Sequence, residues 1–317
     1  MTDPRAKCSE SDFIRLWNEI GPTKLSKQLG VTTKNIYDRR RRLELRLGRQ
    51  ITGPDHPSQT RHHVSHPQRV TFDIDNGHVL VGSDAHIWPG PKSTAMRAFI
   101  KFCKDIKPKA VVLNGDVLDF PQISRHPPIG WEGHPTVQNE IEAAQDILAE
   151  IERATFKAQK VWTLGNHDGR FETRLATVAP EFAKIKGIHL RDHFPAWQAG
   201  WSCWINNDVV IKHRFKGGVH ATHNNVVSSG KHMVTGHLHS AKVTPWTNYN
   251  GNFYGVDTGC LADPDHRAFV DYTEDNPKNW RSAFGLLTFY KGQLLPPELI
   301  QVFDEDHVTF RGEVIKV

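Results

Sequence analysis

The sequence lacks three features that define common protein classes. Its four cysteines are scattered through 317 residues without a CxxC pair, so neither a disulfide framework nor a zinc knuckle is expected. No apolar run approaches the roughly 18 residues that a membrane span requires, and the N-terminus has no signal-peptide core. We therefore expect a cytoplasmic protein that does not bind membranes, with one large domain and one small one.

Positive charge is concentrated near the N-terminus. Residues 1–70 contain 14 of the 40 Lys and Arg residues and 7 of the 35 Asp and Glu residues, which leaves 26 against 28 for the rest of the chain. A basic segment joined to a nearly neutral body indicates a polyanionic partner, although basic tails are also common solubilising features.

The first 48 residues predict a small helical domain. Apolar residues recur at helical spacing over residues 9–20, 23–29 and 33–47, and these segments are separated by Gly21-Pro22 and Gly30. Two short helices joined by a glycine-containing turn, the second of them basic, resemble the helix-turn-helix of small DNA-binding regulators. DNA is therefore the expected partner, and the alternative is a basic helical cap used for protein contacts or assembly.

The second helix of such a motif places its N-terminal side chains in the major groove of DNA. The residues expected to contact bases or phosphates are Thr33, Lys34, Asn35, Asp38, Arg39, Arg41 and Arg42. The four consecutive arginines at 39–42 cannot share one face, because successive helical residues are about 100° apart. Residues 49–70 are rich in Gly, Pro, Ser, Gln and His, which predicts a flexible linker to a domain at 71–317.

Strands and helices alternate in the predicted domain at 71–317. Helical patterns cover residues 92–106 and 136–155, and the strand-helix-strand order indicates parallel pairing in the first half. After residue 239, short strands at 242–247, 252–257, 283–290, 299–303 and 308–316 indicate a second, more antiparallel sheet.

Five apolar segments of this domain end in side chains that can bind metals. The runs at 78–83, 110–114, 161–164, 209–212 and 232–235 lead respectively into Asp84 and His86, Asp116 and Asp119, Asn166 with His167 and Asp168, His213, and His237 with His239. Strand ends of this kind deliver reactive groups to a sheet edge. About seven oxygen and imidazole ligands at one edge would suit two divalent metal ions.

The ordered set of motifs resembles the calcineurin-like metallophosphoesterases over roughly residues 78–262. The motifs are Asp84-x-His86, Gly115-Asp116-x-x-Asp119, Gly165-Asn166-His167-Asp168, His213 and Gly236-His237-x-His239. This resemblance implies an α/β fold, a four-layer αββα sandwich of two mixed β-sheets. It also implies one metal held by Asp84, His86 and His239, a second held by Asn166, His213 and His237, and Asp116 as the bridge. Such a ligand shell favours manganese or iron, and also admits zinc, nickel or cobalt.

The resemblance further implies roles for the residues beside the ligands. A hydroxide held between the metals would be the nucleophile, His167 would be the general acid, and Asp119 would orient its ring. Asp168 is expected to stabilise the turn.

Two departures from the phosphoprotein phosphatase branch bear on the substrate. Phe120 occupies the position where that branch has arginine, and His239 is a histidine that it lacks. Both favour the phosphodiesterase and nuclease branch, whose DNA-repair exonucleases this motif set resembles. A phosphomonoester, a cyclic nucleotide or a phosphoprotein remains an alternative substrate, and a DNA-binding regulator or assembly factor with a scaffold core is a further alternative. The overall arrangement also resembles chains encoded in bacteriophage genomes.

Several residues near the motifs are candidates for substrate contact. Arg125, His126, Trp131 and His134 lie in a loop rich in Pro and Gly that follows Asp119. Arg170, His220 and His223 are weaker candidates. All of these could hold a phosphate or stack on a base. Nothing in the sequence predicts an oligomeric state.

Overall fold

The computed structural model of the chain describes residues 8–54, 66, 68–126, 133–266, 269 and 273–317. It forms two compact units, residues 1–66 and 67–317. The division falls within the segment that the sequence predicts as a linker, of which residues 55–65 and 67 lie outside the described residues. No helix in the described part of the chain is long and apolar enough to cross a bilayer.

The N-terminal unit is helical. Helix α1 (Glu10–Leu29) contains Gly21 in a non-helical conformation (φ 74°, ψ 172°) directly before Pro22, so it consists of two segments on either side of a kink. Gly30 ends α1 in the left-handed conformation, and Thr32 begins α2 (Thr33–Leu47) by accepting a hydrogen bond from the Asn35 amide.

An apolar core joins these helical segments. Its fully or nearly fully buried side chains are Phe13, Trp17, Leu25, Ile36, Leu43 and Ile51. Since Ile51 lies beyond α2, the start of the predicted linker packs against the helices. The first turn of α1 is also tied to α2, because Arg46 hydrogen-bonds to Glu10.

The described residues of the C-terminal unit include fifteen strands, four longer α-helices and three short 3-10 helices. The strands are β1 (Arg69–Phe72), β2 (Gly77–Gly82), β3 (Ala110–Leu113), β4 (Gln159–Thr163), β5 (Gln198–Gly200), β6 (Ser202–Ile205), β7 (Val209–Ile211), β8 (His232–Thr235), β9 (Lys242–Asn248), β10 (Gly251–Asp257), β11 (Ala283–Tyr290), β12 (Gln293–Leu294), β13 (Glu298–Val302), β14 (His307–Phe310) and β15 (Glu313–Lys316). The helices are α3 (Thr94–Ile106), α4 (Val137–Ala154), α5 (Asp168–Val178) and α6 (Ala221–Ser229).

The strands form two mixed sheets. One has the order β1-β6-β7-β8-β10-β9, and the other has the order β15-β14-β13-β11-β2-β3-β4-β5 with β12 paired to β11. Within the second sheet β2, β3 and β4 are parallel, and within the first β7 and β8 are parallel. Ends of parallel strands lie at one edge of a sheet, which is where ligands bind in α/β folds.

The layers follow from where apolar side chains are buried. Val79 and Val81 of β2 meet Ile205 of β6 and Val234 of β8 in a core between the two sheets. Helices α3 and α4 cover the outer face of the larger sheet, and α6 covers the smaller one. The four-layer αββα sandwich implied by the motifs is confirmed.

The prediction that the strands after residue 239 form a sheet of their own is wrong. Strands β9 and β10 extend the smaller sheet, whereas β11 pairs antiparallel with β2 and adds β13, β14 and β15 to the larger one. The single strand predicted at 308–316 is a hairpin that turns at Arg311 and Gly312. Short alternating strands predict pairing but do not reveal which distant strand is the partner.

Candidate metal centre and active site

The predicted metal ligands lie together where the two sheets meet. Asp84 and His86 follow β2, Asp116 follows β3, and Asn166 follows β4. On the other sheet, His213 follows β7, and His237 and His239 follow β8. The His237 amide donates to Asp84 Oδ2 over 2.9 Å, which joins the loops of the two sheets directly.

Two clusters of predicted ligands could each hold a metal ion. Asp84, His86 and His239 form the first, and Asp116, His213 and His237 form the second; within each, the three ligand atoms lie within 4.8 Å of one another. A third group that meets the same distance, His86, Asp119 and His167, contains the predicted general acid and its orienting carboxylate. The two clusters adjoin, since His213 Nε2 is 3.0 Å from Asp116 Oδ2 and 4.0 Å from Asp84 Oδ1.

The ligand loops have a constrained backbone. Five ligand residues have φ between 41° and 70°, which is uncommon for residues other than glycine. They are Asp84, His86, Asp116, His237 and His239. At Gly165 an added Cβ would lie 2.0 Å from Asp116 Oδ1, and at Gly115 it would lie 2.5 Å from the His213 ring. These two glycines therefore let the loops approach closely enough to bring the ligands together.

The carboxylates and imidazoles of the clusters perturb one another's ionisation. Burial acts to raise the pKa of Asp84, but His239 and His213 outweigh it and hold that pKa at about 2. Burial acts to lower the pKa of His213, but Asp84 and Asp116 raise it to about 10. In the metal-free protein His213 is therefore an imidazolium that neutralises the carboxylates, and a cation must displace its proton to bind.

The donor atoms fit metal ions. His86 Nδ1 lies 3.2 Å from the Asp119 carboxylate and His213 Nδ1 lies 2.8 Å from the Asn114 carbonyl, so each Nδ1 donates and each Nε2 faces the cluster. Among the described residues no hydrogen bond reaches His86 Nε2 or Asn166 Oδ1, although both atoms are buried. Buried acceptors without a donor are costly, and bound cations would satisfy them.

His167 is placed beside the clusters with Asp119 behind it. Its Nδ1 is 2.6 Å from Asp119 Oδ1, and Arg170 donates to the Asp119 carbonyl oxygen over 2.7 Å. Burial acts to lower the pKa of His167, but the hydrogen bond to Asp119 and the charge of Asp116 outweigh it and raise the pKa. This geometry matches the predicted pair of a proton-donating imidazole and an orienting carboxylate.

Asp168 connects two ligand loops. Its fully buried carboxylate accepts five hydrogen bonds, from the Trp162 indole N–H and from the amides of Asp116, Val117, Leu118 and Gly165. The side chain fixes the turn after β3 relative to the turn after β4, as a turn-stabilising residue would.

Comparison with known protein families agrees with this arrangement of candidate ligands. A family model of calcineurin-like phosphoesterases matches residues 77–252. The chain belongs to the calcineurin-like phosphoesterase family. It is a metal-dependent phosphoester hydrolase of a family of dimetal enzymes, and its His and Asp clusters could bind metal ions.

Two curated relatives of this phosphoesterase are bacteriophage proteins. They are the Gene 54 proteins of Mycobacterium phages L5 and D29, each 25% identical over 255 residues, which cover 71% of this chain and 93% of the relative. Their names state no activity.

Two solved structures resemble this chain at low sequence identity. Vps29 of Chaetomium thermophilum is 12% identical with a TM-score of 0.39, and the match covers 76% of this chain and 97% of the Vps29 chain. The E. coli phosphoesterase Yfce is 16% identical with a TM-score of 0.33, and the match covers 75% of this chain and 96% of the Yfce chain. TM-scores this low add nothing to the family match.

A cavity of about 820 Å³ adjoins the ligand clusters of the phosphoesterase. Arg125, His126 and Arg170, three of the residues predicted to contact substrate, line it together with Asn166 and His213. The other predicted contacts are placed elsewhere. His220 and His223 are exposed at the start of α6 and are not among the lining residues, His134 packs on Trp88, and Trp131 lies outside the described residues.

Six of the seven residues predicted to contact DNA are exposed or half-buried on α2, namely Thr33, Lys34, Asn35, Asp38, Arg41 and Arg42. Arg39 contradicts the prediction. Its side chain is 3% exposed, it donates to the Cys8 carbonyl oxygen over 2.9 Å, and its guanidinium lies 4.5 Å from the Phe13 ring centroid. Arg39 therefore stabilises the packing of the helices and is not placed to reach a phosphate.

The sequence interpretation missed several residues near the site. Glu140 of α4 belongs to none of the motifs, yet it is fully buried and accepts hydrogen bonds from the amides of Asp119 and Phe120. Its spacing from Val137 and Ala144, three and four residues away, is the signal that could have placed it on the buried face. Trp201, Arg174 and Arg214, which line the cavity, belong to no motif.

Proposed function

We propose that this phosphoesterase is a DNA-directed phosphodiesterase that works with two manganese ions. The observation that supports this proposal is the charge of the cavity beside the metal clusters. Its walls contain five cationic side chains, Arg125, Arg170, Arg174, Lys212 and Arg214, and none of the described residues that line it is Asp or Glu.

Such a cavity suits a polyanion better than a single phosphate group. Burial lowers the pKa of Lys212, and the like charge of Arg214 beside it lowers that pKa further. A chain of phosphates would relieve that repulsion along the whole cavity and release counterions. A small phosphomonoester would occupy only the end nearest Asn166.

The proposed chemistry divides between the cations and the side chains. Two divalent cations, when bound, would neutralise the nonbridging phosphate oxygens and lower the pKa of a water molecule. Asp84, His86 and His239 would hold one ion, and Asn166, His213 and His237 the other, with Asp116 between them.

His167 would protonate the leaving oxygen from Nε2. Its Nδ1–H is held by Asp119, which leaves Nε2 directed to the site, where Arg170 lies 3.3 Å away. A protonated Nε2 and a guanidinium both donate, so we expect Arg170 to turn toward a phosphate oxygen in the substrate complex. The same movement would leave Nε2 free to carry the proton that passes to the leaving oxygen.

The helical unit would bring the enzyme to DNA. We propose that the exposed side chains at the start of α2 contact the major groove and that Arg41 and Arg42 contact phosphates. Phosphate contacts of this kind make binding depend strongly on salt. The phage origin of the Gene 54 relatives agrees with a DNA substrate in an infected cell.

The test is a substrate panel with purified protein and manganese. Linear duplex DNA, nicked DNA, single-stranded DNA and bis-p-nitrophenyl phosphate should be hydrolysed faster than p-nitrophenyl phosphate. His167→Ala should lower the DNA rate about 10²- to 10⁴-fold, whereas His307→Ala, on the distant β14, should not. Hydrolysis of the monoester alone, or full activity of His167→Ala, would overturn the proposal.

A further inference from the structure

Two cavities of different chemistry share a wall at Trp201. The cationic cavity of about 820 Å³ and a second cavity of about 380 Å³ are both lined by Leu164, Gly169, Thr173 and Trp201. The two cavities therefore adjoin along these four residues, so one extended ligand could contact both. Both volumes lie in the range of small-ligand sites.

The smaller cavity is rich in aromatic residues and also has charged residues of both signs, namely Asp168, Glu172 and Arg191. Its walls include the rings of Trp162, Phe194 and Trp197 together with that of Trp201. It also contains the Glu172 carboxylate, which is 3.0 Å from His189 Nδ1 and accepts the Leu190 amide. Unlike the first cavity, this one has no excess of cationic side chains, and its aromatic residues offer stacking, so an uncharged planar group fits it better than a phosphate does.

Trp201 combines a fixed backbone with an exposed side chain. It lies between β5 and β6, and its amide donates to the Gln68 carbonyl oxygen over 2.7 Å, which fixes its backbone. Its side chain is nevertheless 51% exposed. A single exposed apolar residue needs no explanation, but this one stands where a cationic cavity meets an aromatic one.

We propose that the active site takes an unpaired strand of nucleic acid, with its phosphates in the cationic cavity and one base stacked on Trp201 and inserted into the aromatic cavity. The inference rests on the proposed function and adds the strand that the site selects. In a duplex each base is paired and stacked between neighbours, so it cannot enter a cavity until it is unpaired. Stacking on an aromatic side chain recognises single strands with little sequence preference.

The test measures occupancy of the active site of the full chain without relying on DNA binding by the helical unit. Hydrolysis of bis-p-nitrophenyl phosphate with manganese supplies the signal, and an oligothymidylate or a duplex of equal length is added as the competitor. For the wild-type protein, the inhibition constant of the single strand should be at least about 10-fold lower than that of the duplex.

Trp201→Ala should reduce that preference to near parity. Trp201→Phe, which retains a stacking ring, should keep most of it, and Phe156→Ala, which removes an exposed aromatic ring at the end of α4, should keep all of it. The ratio of the two inhibition constants is compared within each variant, so a change in turnover does not affect it.

The outcomes separate the two proposals. Equal inhibition of the wild type by both competitors, or an unchanged preference in Trp201→Ala, would overturn the single-strand inference alone. Failure of the wild type to hydrolyse the diester would overturn the proposed function. Should Trp201→Ala not fold, the wild-type preference and its retention in Trp201→Phe decide the matter.

Discussion

Replacement of Asp168 by Asn should destabilise the phosphoesterase unit although it changes only one atom. The Asp168 carboxylate has no exposed surface and accepts five N–H groups, three on Oδ2 and two on Oδ1. An asparagine could keep its oxygen at the Oδ2 position. Its NH₂ group would then face the amides of Val117 and Leu118, and donors cannot pair with donors.

The magnitude follows from those two amides. Each buried donor left without an acceptor costs about 1 to 3 kcal/mol, so the free energy of unfolding should fall by about 2 to 6 kcal/mol. The loops after β3 and β4 would also lose their common anchor, so activity should fall as well. A loss of this size is a large fraction of the usual stability of a domain, about 5 to 15 kcal/mol.

Urea unfolding followed by circular dichroism measures this loss, with Asp146→Asn as the matched control. Asp146 is exposed on α4, and its replacement should change stability by less than about 0.5 kcal/mol. Equal unfolding midpoints for Asp168→Asn, Asp146→Asn and wild type would refute the assignment of Asp168 as the anchor of both loops.

Three further predictions concern ionisable residues. Burial raises the pKa of Glu140 from 4.5 to about 8, so its contribution to stability is full below pH 4.5 and is lost as the pH rises through about 8. The urea midpoint of wild type should therefore fall relative to that of Glu140→Gln between pH 5 and pH 9, and a constant difference would contradict this. Arg39→Met should lower the free energy of unfolding of the helical unit by about 1 to 3 kcal/mol. Arg41→Met should leave thermal unfolding unchanged and reduce the salt dependence of DNA binding. The reverse pattern would contradict the roles assigned to both arginines. Manganese binding at pH 7 should release about one proton per chain from His213. Calorimetry in buffers of different ionisation enthalpy measures this release. If no proton is released, His213 is not an imidazolium in the metal-free protein.

The ligand positions could be predicted because each depends on local sequence. Every ligand follows the end of a short apolar strand, and parallel strands place their carboxyl ends at one edge. The spacing of Asp84 and His86, or of His237 and His239, therefore predicted their convergence without knowledge of which strands pair. The Gly21-Pro22 pair predicted a break between two helices, which in the structure is a kink within α1, and Gly30 predicted the turn before α2. The helix predicted over residues 33–47 ends there, where Gly48 adopts the left-handed conformation.

The errors arise where a residue's role depends on distant parts of the chain. Arg39 has the sequence context of a solvated arginine, and its burial depends on the Cys8 carbonyl oxygen, 31 residues away. The pairing of β11 with β2 joins segments about 200 residues apart, and local strand patterns do not identify such a partner. The place of Trp201 between two cavities likewise depends on α5, and its own neighbours in sequence do not indicate it.

The most direct measurement is the anomalous scattering of manganese in crystals of the protein grown with that ion. Two peaks about 3.5 to 4 Å apart are expected, one within bonding distance of Asp84, His86 and His239 and the other within bonding distance of Asn166, His213 and His237. A single peak, or manganese bound only away from these side chains, would contradict the dimetal centre on which the proposed activity depends.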